Sequence, residues 1–188
     1  NKPGEIVAPS QISNQWLINR KEFEINKLKL LYVGRIKKEK GIYSLLSLIK
    51  ETKLDLTLSI IGSEKNSVAQ IIQDNVHVYE VENNEKNLIK FYDDHSIFIL
   101  PSYTEGHPMA LLEALSRLRP VIIFKDIEHV VGNKKGIFVA ERNPNSFFEQ
   151  INYIKKNYKN IQEEMKKNKL PTKEEFLLKF SNLILKSS

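Results

Sequence analysis

Two glutamates and a cluster of cations are the side chains in this sequence whose types and spacing could do chemistry together. Glu105 and Glu113, with seven residues between them, stand in Pro101-Ser102-Tyr103-Thr104-Glu105-Gly106-His107-Pro108-Met109-Ala110-Leu111-Leu112-Glu113-Ala114-Leu115. An ionised carboxylate only accepts hydrogen bonds, which suits the paired hydroxyls of sugars and ribose. Pro108 fits the first position of a helix, where no N–H is needed, so a helix is expected from Met109. Gly106 allows a close backbone approach. The free N–H groups of Gly106, His107, Met109 and Ala110 at that helix start would bind an anion. Both carboxylates are then expected to face one cleft, taking hydroxyls while the N–H groups take phosphate. Alone, either glutamate reads first as a solvated side chain; their combination with the Gly-x-Pro turn carries the functional reading.

The cations lie in Gly34-Arg35-Ile36-Lys37-Lys38-Glu39-Lys40-Gly41. Arg35 offers a planar fork that can hold two phosphate oxygens, and Lys40 adds a compact charge. Together they suit a diphosphate, above all one that gains charge as it leaves in a transfer reaction. The order Gly-x4-Gly-Lys-Ser/Thr of a Walker loop and the Gly-x-Gly-x-x-Gly of dinucleotide folds are both missing. By itself this loop reads first as a solvated basic turn.

Elements that could position these groups are legible in the apolar pattern. Strands are expected at Leu28–Val33, Leu56–Ile61, Val76–Tyr79, Ile97–Leu100, Val121–Phe124 and Gly136–Val139. Between and after them lie helical stretches at Ile42–Lys50, Ser67–Gln73, Glu85–Tyr92, Met109–Leu118, Phe147–Tyr158 and Lys173–Leu185. Strands separated by helices imply crossovers and a mostly parallel sheet. Uniformly apolar strands imply a sheet covered on both faces. The expected fold is α/β, a Rossmann-like three-layer domain of about six strands, with ligands beyond the strands' carboxyl ends. Residues 1–27 read as a lead-in or inter-domain connection, with Trp16 packed as a lid on the core. Residues 28–170 read as the domain and 171–188 as a C-terminal helix.

Composition narrows the class. The chain of 188 residues has no cysteine, so disulfide frameworks and thiolate metal sites are excluded. No apolar run reaches the length of a membrane span, and a cytoplasmic place is expected. The net charge of +6 is expected on a protein that meets nucleotides or anionic surfaces. Most lysines, including Lys155, Lys156, Lys159, Lys166, Lys167 and Lys169, read as a solvated helix face. The sharper alternative for that run is an anionic membrane surface carrying a lipid-linked acceptor. A nucleic-acid role lacks the aromatic–basic stacking surface it would use. Asp126, Glu128 and His129 lack an Asp-x-Asp companion, so no metal is expected. Asp93 and Asp94 read as turn residues.

The pieces Val33-Gly34-Arg35 with Lys40-Gly41, and Pro101-Ser102 followed by Glu105-Gly106-x-Pro108 and Glu113, resemble the C-terminal domain of family 4 glycosyltransferases of the two-domain GT-B architecture. The second piece is that family's E-x7-E signature. Pro120-Val121-Ile122 extends the resemblance, which runs from about Leu28 to about Tyr153. It implies donor binding for retaining transfer from a nucleotide diphosphate sugar (UDP or GDP) to a glycan or lipid-linked acceptor, with no cofactor. Arg35 and Lys40 would hold the leaving diphosphate, and Glu105 would contact the donor sugar. Gly34, Gly106, His107, Pro108 and Met109 would border sugar and phosphate. Glu113 would bind ribose, and the base would lie against Val81 to Asn83, beside Glu82. The acceptor domain is expected upstream. Three departures stand out: His107 in place of an aromatic or apolar residue, Arg119 before Pro120, and a loop after Phe124 without the usual glycine pair. A non-catalytic nucleotide-binding module of the same fold is the alternative.

Overall fold

The computed structural model describes residues 10–22, 25, 27–52, 54–62 and 74–187. Six strands form one parallel sheet: β1 (Leu28–Val33), β2 (Leu56–Ile61), β3 (Val76–Tyr79), β4 (Ile97–Leu100), β5 (Val121–Phe124) and β6 (Ile137–Ala140). They lie in the order β3-β2-β1-β4-β5-β6, and every neighbouring pair is parallel. The helices are α1 (Ile42–Thr52), α2 (Glu85–Asp93), α3 (Met109–Ser116), α4 (Pro144–Met165) and α5 (Lys173–Ser187). β4 and β5 are buried at every position, as the apolar runs require of a sheet covered on both faces. The order reverses between β1 and β4, and the crevice at that reversal is where such sheets bind ligands. The expected helix at Ser67–Gln73 lies outside the described residues.

Departures from the expected boundaries have local causes. β6 starts one residue late because Gly136 turns at a φ of 88° while its carbonyl accepts from the Val121 N–H. Its hydrogen faces Met165, where a Cβ would lie 2.4 Å from the side chain. α3 stops at Ser116 rather than Leu118. Leu118 adopts a left-handed φ of 58°, the Arg119 N–H reaches back to the Ala114 carbonyl, and the Leu118 N–H reaches Leu115. This is a Schellman closure with leucine where glycine is usual, and the left-handed backbone costs about 1 kcal/mol. In return Leu118 is buried and its neighbours point inward. α4 outruns Phe147–Tyr158 at both ends. Asn143 caps it, Pro144 opens it, and Ile161 and Met165 continue the buried stripe. The α4 lysines line the exposed side.

Those inward neighbours are Arg117 and Arg119, both almost fully buried. Arg117 grips Asp93 with two bonds, Nε to Oδ1 at 2.9 Å and Nη2 to Oδ2 at 2.8 Å. Its remaining N–H groups donate to the carbonyls of Trp16, Ile18 and Asn19. Arg119 donates to the carbonyls of Tyr92, Lys21 and Asp93. Asp93 is therefore the ion-pair partner of Arg117 and not a turn residue, and Arg119 ties the end of α2 to Lys21. That segment packs on the domain: Ile12 and Trp16 are buried, and the indole meets Tyr92 edge-on at 5.5 Å.

No described helix is long and apolar enough to cross a membrane. Removing one partner of a buried charge pair leaves the other uncompensated. Arg117→Ala should therefore lower the unfolding free energy by about 3 kcal/mol in urea denaturation, with the Trp16 fluorescence shifted toward that of exposed indole. A loss below about 1 kcal/mol, the range of a surface pair, would contradict this account of the segment.

Candidate functional site

The chemistry expected after β1 and after β4 converges because the two loops touch through their backbones. Gly34 leaves β1 at a φ of 152°, its N–H donating to the Ile61 carbonyl at 2.8 Å. The loop then makes a short turn at Lys38–Lys40 and ends at Gly41, which is left-handed at a φ of 67°. A Cβ on Gly41 would stand 1.9 Å from the Pro101 carbonyl oxygen. Only hydrogen fits there. One step further, the Tyr103 N–H donates to the Glu39 carbonyl at 3.0 Å.

That contact sets Lys40 against Glu105, Nζ to Oε1 at 2.7 Å. The Ser102 hydroxyl donates to the same oxygen at 2.7 Å. The Glu105 carbonyl lies 2.8 Å from Nε2 of His129. The pair is partly shielded, with 26% of Lys40 and 12% of Glu105 exposed. Two donors and a modest exposure hold the carboxylate in one orientation while solutes can still reach it. Arg35 is exposed, and its carbonyl accepts from the Tyr32 hydroxyl at 2.9 Å. Burial raises that phenol above its ordinary range. The Glu105 and Glu39 carboxylates push the same way and Arg35 opposes them, so Arg35 and Glu105 act on one hydroxyl at the floor of the loops.

At the start of α3, Pro108 is the capping residue, with φ −72° and ψ 106° and no side-chain cap. It therefore sits one position earlier than expected; the ring's fixed φ is also compatible with this extended position. Pro108 brings no capping side chain of its own, and the first N–H groups of a helix have no partner within the helix. A Cβ on Gly106 would meet nothing within 4 Å, so this glycine faces open space. A hollow of about 190 Å3 there is lined by Gly106, His107, Pro108, His129 and Lys134, among others. A larger open hollow of about 900 Å3 is lined by residues 37–39, Tyr43 and Tyr103, among others.

Glu113 sits apart from this cluster. Its Oε2 accepts from the Tyr92 hydroxyl at 2.7 Å. Burial raises its pKa above the usual carboxylate range, the Tyr92 bond works against that, and the Glu85 carboxylate adds to it. Glu85 is itself held by the Trp16 indole N–H and the Ser13 hydroxyl. The end of α2 that follows Val81 and Glu82 therefore borders Glu113. Val81 is exposed, while the Glu82 carboxylate accepts from the Asn84 N–H and the Asn87 side chain.

Several participants were not singled out from sequence: Tyr32, Tyr92 and Arg142, while Ser102 stood in the Pro101-Ser102 piece without a role of its own. The tyrosines stand in an expected strand and an expected helix, and nothing local marks their hydroxyls. Arg142 follows β6 and reaches back over the β4 loop, bonding the Pro101 and Ser102 carbonyls. The acidic groups after β5 are divided: Asp126 pairs with Arg142 at 2.7 Å, while His129 serves Glu105. Among the described residues no three histidine or acidic side chains gather in metal-holding geometry.

The family model "Glycosyl transferases group 1" matches residues 15–172. The Staphylococcus aureus capsular polysaccharide biosynthesis glycosyltransferase CapM is 29% identical over 133 residues, covering 64% of this chain and 34% of that protein. An uncharacterised glycosyltransferase of Haemophilus influenzae is 29% identical over 143 residues, covering 69% of this chain and 40% of it. The chain thus spans well under half the length of these relatives. Among solved structures, Anabaena HepE, in complex with UDP and glucose, superposes with a TM-score of 0.70 at 11% identity, over 85% of this chain and 48% of that one. The sucrose-phosphate synthase of Thermosynechococcus elongatus gives a TM-score of 0.68 at 19% identity, over 94% and 49%. At such identities the structures attest the fold.

The two glycines should respond in opposite ways. Gly41→Ala sets a Cβ against backbone in a left-handed turn and should lower stability by about 3 kcal/mol. Gly106→Ala should stay within about 0.5 kcal/mol of the parent. Paired urea titrations measure both, and equal losses would contradict the backbone contact.

Proposed function

This chain belongs to the group 1 glycosyl transferases, and from that membership we propose that it is the donor-binding part of a retaining enzyme that moves a sugar from UDP or GDP to a glycan or lipid-linked acceptor. The observation that carries the reading is the 2.7 Å contact between Lys40 and Glu105, joining the loops of β1 and β4 where the strand order reverses. A diphosphate placed there meets Lys40 and Arg35 on one side and the N–H groups of Met109 and Ala110 on the other.

The residues divide the work by chemistry. In the transfer, the bond from the sugar's anomeric carbon to the β-phosphate oxygen breaks, the oxygen of an acceptor hydroxyl bonds that carbon in its place, and the hydroxyl proton leaves with the diphosphate. Charge grows on the departing diphosphate, where fixed cations and helix-end dipoles stabilise it more than the intact donor. Lys40 keeps N–H groups for that phosphate while one contacts Glu105. Glu105, held by Lys40 and Ser102, accepts donor-sugar hydroxyls. Glu113, held by Tyr92, accepts the ribose hydroxyls, and the base lies against backbone at Val81 to Asn83. Side-chain cations provide the charge here, so no metal is part of the proposal. The relatives named for capsular polysaccharide and, in Bacillus subtilis, teichuronic acid biosynthesis favour a surface glycan as the acceptor, met at the inner face of the membrane.

Calorimetry on the intact protein tests this. UDP or GDP should bind in the micromolar range. Lys40→Ala should weaken the diphosphate by about tenfold or more and the monophosphate little. Glu113→Ala should weaken both alike. A folded wild-type protein that binds no nucleoside diphosphate sinks the reading. Retention is checked separately, from the anomeric configuration of the product by NMR.

Glu113 also gives a pH dependence. Its carboxylate form accepts hydroxyls, and burial raises its pKa. Affinity should therefore fall as pH drops through that raised value, by up to about tenfold per unit, starting at higher pH than for an exposed glutamate. Glu113→Gln should flatten this part of the profile; an unchanged profile would remove Glu113 from ribose binding.

A further inference from the structure

We propose that Arg142 is the positioning residue of the phosphate-binding edge: it fixes the β4 loop from behind and so sets the Lys40–Glu105 pair. The inference rests on the donor-site reading above and adds to it a residue outside the expected motifs. Arg142 follows β6, two strands away from β4. Its Nη2 donates to two successive carbonyls, Pro101 at 2.8 Å and Ser102 at 2.9 Å. These are the carbonyl that Gly41 packs against and the carbonyl of the residue whose hydroxyl holds Glu105. One guanidinium therefore grips the stretch of backbone from which both halves of the site are placed.

The guanidinium is itself held from three directions. Nε bonds the Asp126 carboxylate at 2.7 Å, and the pair is mostly shielded, with 18% of Arg142 and 33% of Asp126 exposed. The Tyr103 ring lies 3.9 Å from the guanidinium carbon and the Phe124 ring 4.6 Å from it. A planar cation between aromatic faces and bonded at its edge has little freedom to rotate. A lysine in its place could offer a point charge but not this fixed fork.

Nη1 is enclosed and has no acceptor among the described residues. It points toward Gly41; a Cβ there would lie 3.4 Å away. A buried donor without a partner costs about 1–3 kcal/mol. The orphaned donor faces the glycine through which the Lys40 loop contacts the β4 loop.

The consequence separates two parts of one ligand. Ribose and base depend on Glu113 and the β3 loop, which Arg142 does not touch. The second phosphate depends on Lys40. Loss of Arg142 should therefore cut the affinity gained on going from nucleoside monophosphate to diphosphate and leave monophosphate affinity in place.

The test is calorimetry on the intact protein with UMP and UDP, and with GMP and GDP, for wild type, Arg142→Ala, Arg142→Lys and Asp126→Asn, with thermal unfolding alongside. Arg142→Ala should weaken diphosphate binding about tenfold and monophosphate binding less than twofold. Arg142→Lys should recover little of the loss, and Asp126→Asn should fall between wild type and Arg142→Ala. In a background of Lys40→Ala, Arg142→Ala should cost no further diphosphate affinity, since both act through one contact. Equal weakening of mono- and diphosphate, additive losses with Lys40→Ala, or full recovery by lysine would each overturn the assignment. If Arg142→Ala does not fold, Arg142→Lys and Asp126→Asn decide it by the same ratio. A wild-type protein that binds neither diphosphate refutes the donor-site reading itself, a different outcome from binding that is indifferent to Arg142.

Discussion

The loops after β1 and β4 meet at a point where one carries no side chain and the other presents a carbonyl oxygen, Gly41 against Pro101. The rest of the edge is measured from this contact. It sets how closely the basic loop approaches the acidic one, brings Lys40 within a hydrogen bond of Glu105, and lets the Tyr103 N–H reach the Glu39 carbonyl. The strand order makes the meeting possible: β1 and β4 are sheet neighbours although far apart in sequence. A crevice opens where connections diverge, and here its two lips are pinned at a single spot. The pinned arrangement suits a site that must stabilise charge, because donors fixed beforehand need no reorganisation when the charge appears.

A second centre holds the far end of the site. Tyr92 lies buried between Trp16 and Phe98 and directs its hydroxyl to Glu113. Trp16 also donates to Glu85, so one indole fixes both the ring behind Glu113 and the carboxylate that borders it. Trp16 in turn is tied down through its carbonyl by Arg117, itself anchored on Asp93. Ionised groups so deeply buried must be paired to be tolerated. The lead-in segment is thereby built into the domain, and Arg119 explains itself as part of this fastening and not as a group of the donor pocket.

Much of this was legible in the residues. The apolar runs located every strand, since fully buried parallel strands leave an uninterrupted signature, and only β6 moved, by the one residue that Gly136 needs for its turn. The two site loops were legible too: glycines, cations and paired glutamates at strand ends are local patterns. Side-chain partners far away in sequence were not. Nothing near Tyr92 announces a bond to Glu113, and nothing near Arg142 announces two carbonyls some forty residues earlier. Asp93 misled for the same reason, because an acidic pair before a strand reads as a turn until two arginines from another helix end close on it. Local patterns identify the groups that meet a ligand; the groups that orient them come from the topology.

The central claim concerns where a diphosphate would sit, and a crystal structure of the intact protein grown with UDP or GDP addresses it directly. The account predicts density for both phosphates in the crevice between the Lys40 ammonium and the first N–H groups of α3, with the ribose hydroxyls on Glu113. A nucleotide bound elsewhere on the molecule, or one in this crevice with its phosphates turned away from both the basic loop and the helix start, would contradict it.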